Sequence, residues 1–181
     1  MRRANKEIKD RAVIVGLLGT AIVGRLGTIG KEGRPMVKPL NFVFHHDAVY
    51  FHTAKEGEKI DDIRRDNRVC FEIDHPIAYV QGAPENPCKA EYLYRSVIIR
   101  GRAVMVEDRD ERVGALKAMM HKYQPEGGYG AFLEEKLAVT GVVRIDIEEM
   151  TGKEDLGKEY HRDMIKEAIM GDAHLPIILE P

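Results

Sequence analysis

Two short turns set between β-rich runs constrain this chain more than any other feature. Residues 22–29 read as a strand, Gly30-Lys31-Glu32-Gly33 as a turn and residues 34–44 as a second strand. His45-His46-Asp47 makes a second turn before a third strand at 48–53. Turns this short join neighbours that run in opposite directions, so this part of the chain is an antiparallel meander. Pro35 and Pro39 lie in the second run and cannot donate to a ladder, which puts that strand at an edge or gives it a bulge.

The remaining segments fit around the meander. Asp10 caps a short helix carrying Val13, Ile14, Leu17 and Leu18, which stops near Gly19. Residues 55–65 form a charged helix with Ile60 and Ile63 as its apolar side, and the sheet resumes at 69–73. Residues 75–91, with Pro76, Gly82, Pro84 and Pro87, read as the longest irregular stretch. Residues 92–106 form a long strand. Asp108-x-x-Glu111 then opens a helix as a capping box, with Val113, Leu116, Met120 and Tyr123 at helical spacing. The last strand is expected at 137–147, and a final helix opens at Thr151-x-x-Glu154 and ends at Gly171.

About six strands with local connections and short helices give a mainly β (α+β) fold, a small antiparallel barrel with helices outside. No Gly-x-Gly-x-x-Gly stands between a strand and a helix, which argues against a doubly wound dinucleotide fold. The 181 residues suit one domain with a real core. The barrel is expected over 1–150, and 151–181 is a helical extension that packs on the same domain or on a partner subunit.

Charge and cysteine usage remove other classes. Lys and Arg number 28 and Asp and Glu 30, and 44% of residues are apolar, so the chain is neither disordered nor a general phosphate-backbone binder. The excess positive charge sits in residues 1–11 (Arg2, Arg3, Lys6, Lys9, Arg11), and no basic stripe follows, so no nucleic-acid partner is expected. Residues 148–181 are acidic. Cys70 and Cys88 read as reduced thiols of a cytoplasmic protein, with Cys70 a core or sheet residue. No secretory signal and no run of about 20 apolar residues is found, so no membrane partner is expected.

Candidate chemistry is sparse. There is no Gly-x-Ser-x-Gly and no histidine placed to activate a cysteine. His45-His46 reads as a polar turn, and His75, His121, His161 and His174 are scattered, so no metal site is expected. The carboxylate pairs Asp61-Asp62 and Glu134-Glu135 read as solvent-facing charge. His52 differs, because it ends a strand that feeds a loop. After it, Thr53, Lys55 and Lys59 approach the start of the charged helix, where free backbone N–H groups favour an anion. Residues 55–68 hold five positive and five negative groups, so on the residues alone a solvated helix is the preferred reading of the same segment.

A resemblance bears on that choice. Gly24-Arg25-Leu26-Gly27-Thr28, Gly33-Arg34-Pro35, Pro39-Leu40-Asn41-Phe42, Tyr50-Phe51-His52-Thr53-Ala54, Gly57-x-Lys59 and Asn67-Arg68-Val69-Cys70-Phe71 follow in order, with Tyr94-Arg95-Ser96-Val97 and Gly101-Arg102-Ala103 after them. Over about residues 5–150 the chain resembles the FMN-binding split-barrel superfamily that includes pyridoxamine 5′-phosphate oxidase. Within it the chain is most similar to the nitroimidazole-resistance proteins.

The resemblance implies a six-stranded split barrel that dimerises, with a flavin in each of two clefts at the subunit interface. It implies FMN contacts from Lys38, Pro39, Leu40, Asn41, His52, Thr53, Lys59 and Ser96, with Lys55 assisting, and favours the phosphate-seat reading. Lys38 and Lys59 would neutralise the phosphate, and His52 would gate the site or donate a proton. The implied activity is a flavin-dependent oxidoreductase. NADH or NADPH would supply electrons, and a nitro-aromatic compound or quinone would accept them; FAD could replace FMN. A flavin- or haem-binding protein without turnover, or a deazaflavin-dependent reductase of the same fold, stays open. The chain departs from the oxidase in reading Glu58-Lys59 for Arg-Lys, in lacking a second basic residue after Lys38, and in having Arg144-Ile145-Asp146 for Arg-x-His. Pyridoxal phosphate synthesis is therefore not expected.

Overall fold

The computed structural model describes residues 4–170 and 176–179. Arg2 and Arg3 of the basic arm, the helix end at Gly171, and His174 lie outside the described residues.

The meander forms as its turns dictate. β2 (Gly24–Ile29) pairs antiparallel with β3 (Pro35–Leu40), and β4 (Val43–His45) pairs antiparallel with β5 (Ala48–Ala54). His46 and Asp47 both take positive φ, 45° and 59°, the backbone that lets a two-residue hairpin follow the twist of its strands. The expected single strand at 34–44 is broken at Asn41 and Phe42. With β6 (Arg68–Val80), β7 (Glu91–Met105) and β8 (Thr140–Asp155), the sheet order is β3-β2-β6-β7-β8-β5-β4, so β3 and β4 lie at opposite ends of one sheet. They are also consecutive in sequence. Counted as one bent strand, they bring the two ends of the sheet together into a barrel of six strands, which is the expected fold.

The long strands β6, β7 and β8 carry the barrel wall. Short β1 (Glu7–Ile8) adds to β8, and β9 (Ile177–Leu179) adds in parallel to β6. Three sequence expectations change here. Residues 75–80 are strand, because β6 keeps pairing with β7 past Pro76 through a register shift, and the irregular stretch shrinks to the residues between these strands. Residues 137–139 belong to α4 (Glu134–Val139). Residues 151–155 continue β8 because Tyr94 to Ile98 supply pairing partners there, and the final helix, α5 (Glu159–Met170), starts later.

The barrel interior is apolar and continuous. Leu26, Phe71 and Ile99 align across β2, β6 and β7 and are fully buried. Phe42 meets Phe71 edge-on at 4.8 Å, and Val49, Phe51, Val143 and Ile145 complete the filling. Each such side chain stabilises the fold by roughly 1.5–3 kcal/mol. α1 (Arg11–Thr20), capped by Asp10 as expected, covers one side with Leu17 and Leu18. α3 (Arg109–Tyr123) packs Ala115 and Met119 on the outer faces of Tyr50 and Val142. At its C-terminal end the Tyr123 hydroxyl donates to Ile22 O (2.7 Å) and accepts from Phe42 N (3.0 Å), pinning the bend between β3 and β4. Cys70 lies in β6 but is exposed, because its neighbours Val69 and Phe71 take the inward positions.

Candidate functional site

Strand alternation sorts the candidate residues onto two faces. Lys38 pairs with Leu26 and faces the barrel interior, while Pro39 pairs with Arg25 and points outward, exposed. Leu40 is again half-buried and inward, and Asn41 stands at the bend, its Nδ2 donating to Ile22 O at 3.4 Å. On β5, Phe51 fills the interior, so His52 faces outward and Thr53 inward again. His52 Nδ1 lies 3.4 Å from Met119 Sδ of α3. Ser96 sits on β7 between Asp74 and Lys153, on the face opposite Ile99 and therefore opposite Lys38. A single chain thus gathers Lys38 and Lys59, and holds His52 and Ser96 on the other face of the wall.

The Lys38–Lys59 region is built by α2 (Glu58–Arg65). Gly57 precedes it at φ 115°, a backbone that only glycine adopts without strain, and its carbonyl accepts from Ile60 N and Asp61 N. No side chain caps this helix, which leaves first-turn N–H groups free. Ile60 and Ile63 anchor it in the core, as their spacing requires. That anchoring lays Lys59 over the Phe51 ring at 5.1 Å and brings it near Lys38. Burial, with the Lys38 charge added, pushes the Lys59 amine below its ordinary value. Lys38 Nζ is shielded from solvent and among the described residues makes no hydrogen bond of acceptable geometry, although Glu58 Oε2 stands 2.9 Å away and Asp62 Oδ2 3.9 Å away. Two crowded cations, with Glu58 and Asp62 beside Lys38, thus stand at an uncapped helix start, the chemistry of a candidate anion seat.

Asp62 corrects a sequence expectation. Its side chain is only 3% exposed, not solvent-facing. It accepts from Thr28 Oγ1 (3.0 Å) and Arg65 Nη2 (2.7 Å). Burial pushes its carboxyl up, but those hydrogen bonds and the Arg65 and Lys38 charges outweigh it and hold the group below the usual range. Asp62 therefore fixes α2 to β2 and sets the rear of the seat. In sequence it is one of several carboxylates, and only its place on the Ile60–Ile63 side of the helix hints at burial. Lys55 is turned elsewhere, its amine donating to Ala138 O at the end of α4.

A second polar cluster flanks the His52 face. Glu111 accepts from the Tyr50 hydroxyl (3.0 Å) and from Arg144 Nη1 (2.6 Å). Arg144 also bonds Asp146, and these carboxylates raise its pKa. Asp108 caps α3 by accepting from Glu111 N, but the Glu111 side chain serves this cluster and does not reach back to close the box. The expected capping box is half formed for that reason.

Among the described residues no group of three His, Cys, Asp or Glu is placed to hold a metal ion, and no helix is long and apolar enough to cross a membrane. The sequence model of the family described as pyridoxamine 5′-phosphate oxidase matches residues 10–154. Among solved structures, the chain is similar to a protein of Bacteroides thetaiotaomicron provisionally described as a 5-nitroimidazole antibiotic resistance protein. They share 26% identity and a TM-score of 0.69 over 81% of this chain and 85% of that one. A flavocytochrome from Azotobacter vinelandii matches at 18% identity and TM-score 0.75, over 90% of this chain and 77% of that one. An FAD- and haem-binding protein from Mycobacterium smegmatis matches at 16% and 0.75, over 88% and 80%. The latter two likenesses show the fold alone. A comparison with curated proteins found no match.

Proposed function

The chain belongs to the pyridoxamine 5′-phosphate oxidase family, and from that premise we propose that it is an FMN-dependent oxidoreductase acting on a small oxidised acceptor such as a nitro-aromatic compound or quinone. The observation that carries this reading is the anion seat. Lys38 Nζ is buried without a hydrogen bond, and Lys59 lies half-buried beside it with its charge disfavoured. Glu58 Oε2 stands 2.9 Å from Lys38 Nζ but without hydrogen-bonding geometry, and a flavin phosphate would supply acceptors that meet it, so the residues present fit the group. The free N–H groups at the start of α2 add to the same seat.

Other residues take roles by position. Leu40 and Thr53 line the inward side of the strands that lead to the seat, and Asn41 offers an amide at the bend. His52 and Ser96, on the outer face, would meet a flavin held against a second copy of the chain. The reading therefore includes a homodimer with the cofactor between subunits. Bound flavin would supply the redox chemistry, with NADH or NADPH as electron donor, while the protein positions it and controls access. His52 would gate that access or pass a proton.

One observation favours a second reading, a flavin or haem carrier without turnover. His52 Nδ1 faces a thioether sulfur, and among the described residues neither Asp nor Glu is hydrogen-bonded to its ring. Anaerobic addition of NADH or NADPH to the flavin-loaded protein decides between them. Bleaching of the flavin band supports the oxidoreductase, and a spectrum unchanged by both donors supports the carrier.

A further inference from the structure

A cleft of about 730 Å³ opens between the end of α1, the β4 strand and α3. It is lined by other residues than the anion seat. Among the described residues, four of its lining side chains are basic, His45, Lys117, His121 and Lys122, and none is acidic. Lys117 and His121 are one helical turn apart on α3, so they stand on one stripe of that helix. Lys122 donates to Leu18 O at 2.9 Å and lies over the Phe42 ring at 3.7 Å. Burial pushes its amine down to about 8. His45 is likewise pushed down, by burial and by the charge of His46. For Lys122 the cause is burial, a cost that an anion in the cleft would offset.

The glycines of the cleft point the same way. Gly19 lies within α1 and Gly114 within α3, positions where glycine destabilises a helix relative to alanine. A Cβ at either would meet nothing within 4 Å. Packing among the described residues therefore does not require a glycine at either position, and both leave the helix backbone open to close approach from the cleft. The volume is that of a small-molecule cleft.

We propose that this cleft binds a small organic anion, its apolar body against Val43 and Phe44 and its carboxylate or phosphate among Lys117, His121 and Lys122. The reading stands apart from the flavin seat. Anilinonaphthalene sulfonate, an aromatic anion that fluoresces when bound, is the probe, titrated against the full chain. Saturable binding is expected, at least tenfold tighter than for neutral N-phenylnaphthylamine. Lys117→Glu should weaken it at least tenfold. Gly114→Ala should raise Tm, because the helix gains alanine, yet weaken binding. Lys59→Glu should leave it unchanged. Displacement by benzoate identifies a carboxylate ligand and displacement by phenyl phosphate a phosphate. Equal affinity for the neutral dye overturns the proposal. So does binding that survives both cleft variants, binding lost in Lys59→Glu, or failure of both competitors.

Discussion

Replacing Lys59 by alanine separates the phosphate from the rest of the flavin. Lys38 sits 2.9 Å from Glu58 Oε2, so much of its charge is already compensated. Among the described residues no carboxylate lies within 4 Å of the Lys59 amine, and burial and the repulsion of Lys38 push it below its ordinary value. Lys59 is therefore the cation with charge to offer. A hydrogen bond to a charged group contributes roughly 1.5–3 kcal/mol. At about 1.4 kcal/mol per tenfold, that corresponds to a loss of roughly 10- to 150-fold in FMN affinity. Riboflavin has the same ring and no phosphate, so its affinity should change less than about threefold, within the range of small packing effects. The assay is titration of flavin-free protein with each ligand, followed by flavin fluorescence. The comparison also has a pH signature. The Lys59 amine is depressed in the free protein, so a bound phosphate raises it again, and FMN binding should take up protons and weaken as pH rises through the depressed value. Equal losses for FMN and riboflavin in Lys59→Ala would refute the phosphate role.

The other predictions concern the neighbours of that lysine. Glu58→Ala removes the carboxylate beside Lys38 and should tighten FMN severalfold with little effect on riboflavin, read in the same titration. Asp62→Ala leaves Thr28 and Arg65 without their buried acceptor and should cost about 1–3 kcal/mol in urea unfolding at neutral pH. The folded carboxyl is held low, so this contribution is present above the unfolded value of about 3.9 and is lost as pH falls through the lower folded value. The gap between Asp62→Ala and the parent should accordingly narrow in acid.

The meander was legible because its turns carry local chemistry, a glycine-flanked turn and a two-residue hairpin, that needs no distant partner. The helix caps at Asp10 and Asp108 were legible for the same reason. What failed was decided by pairing across the chain. Residues 75–80 look irregular beside Pro76, yet β7 supplies partners that hold them as strand. Thr151-x-x-Glu154 has the letters of a helix start, yet Tyr94 to Ile98 claim it for the sheet. The site divides along the same line. Lys59 was legible from the helix it opens, whereas Lys38 entered through family resemblance, and the structure shows its amine buried. The burial of Asp62 depended on Thr28, 34 residues away, and the sequence hints at it only through its place on the Ile60–Ile63 side of the helix.

The central claim is that this chain holds a flavin by its phosphate. The most direct measurement is the absorption spectrum of the purified protein after incubation with excess FMN and removal of unbound ligand. The account predicts a yellow protein with about one FMN per chain, and much less flavin retained when riboflavin is used. A colourless protein after FMN loading would contradict it.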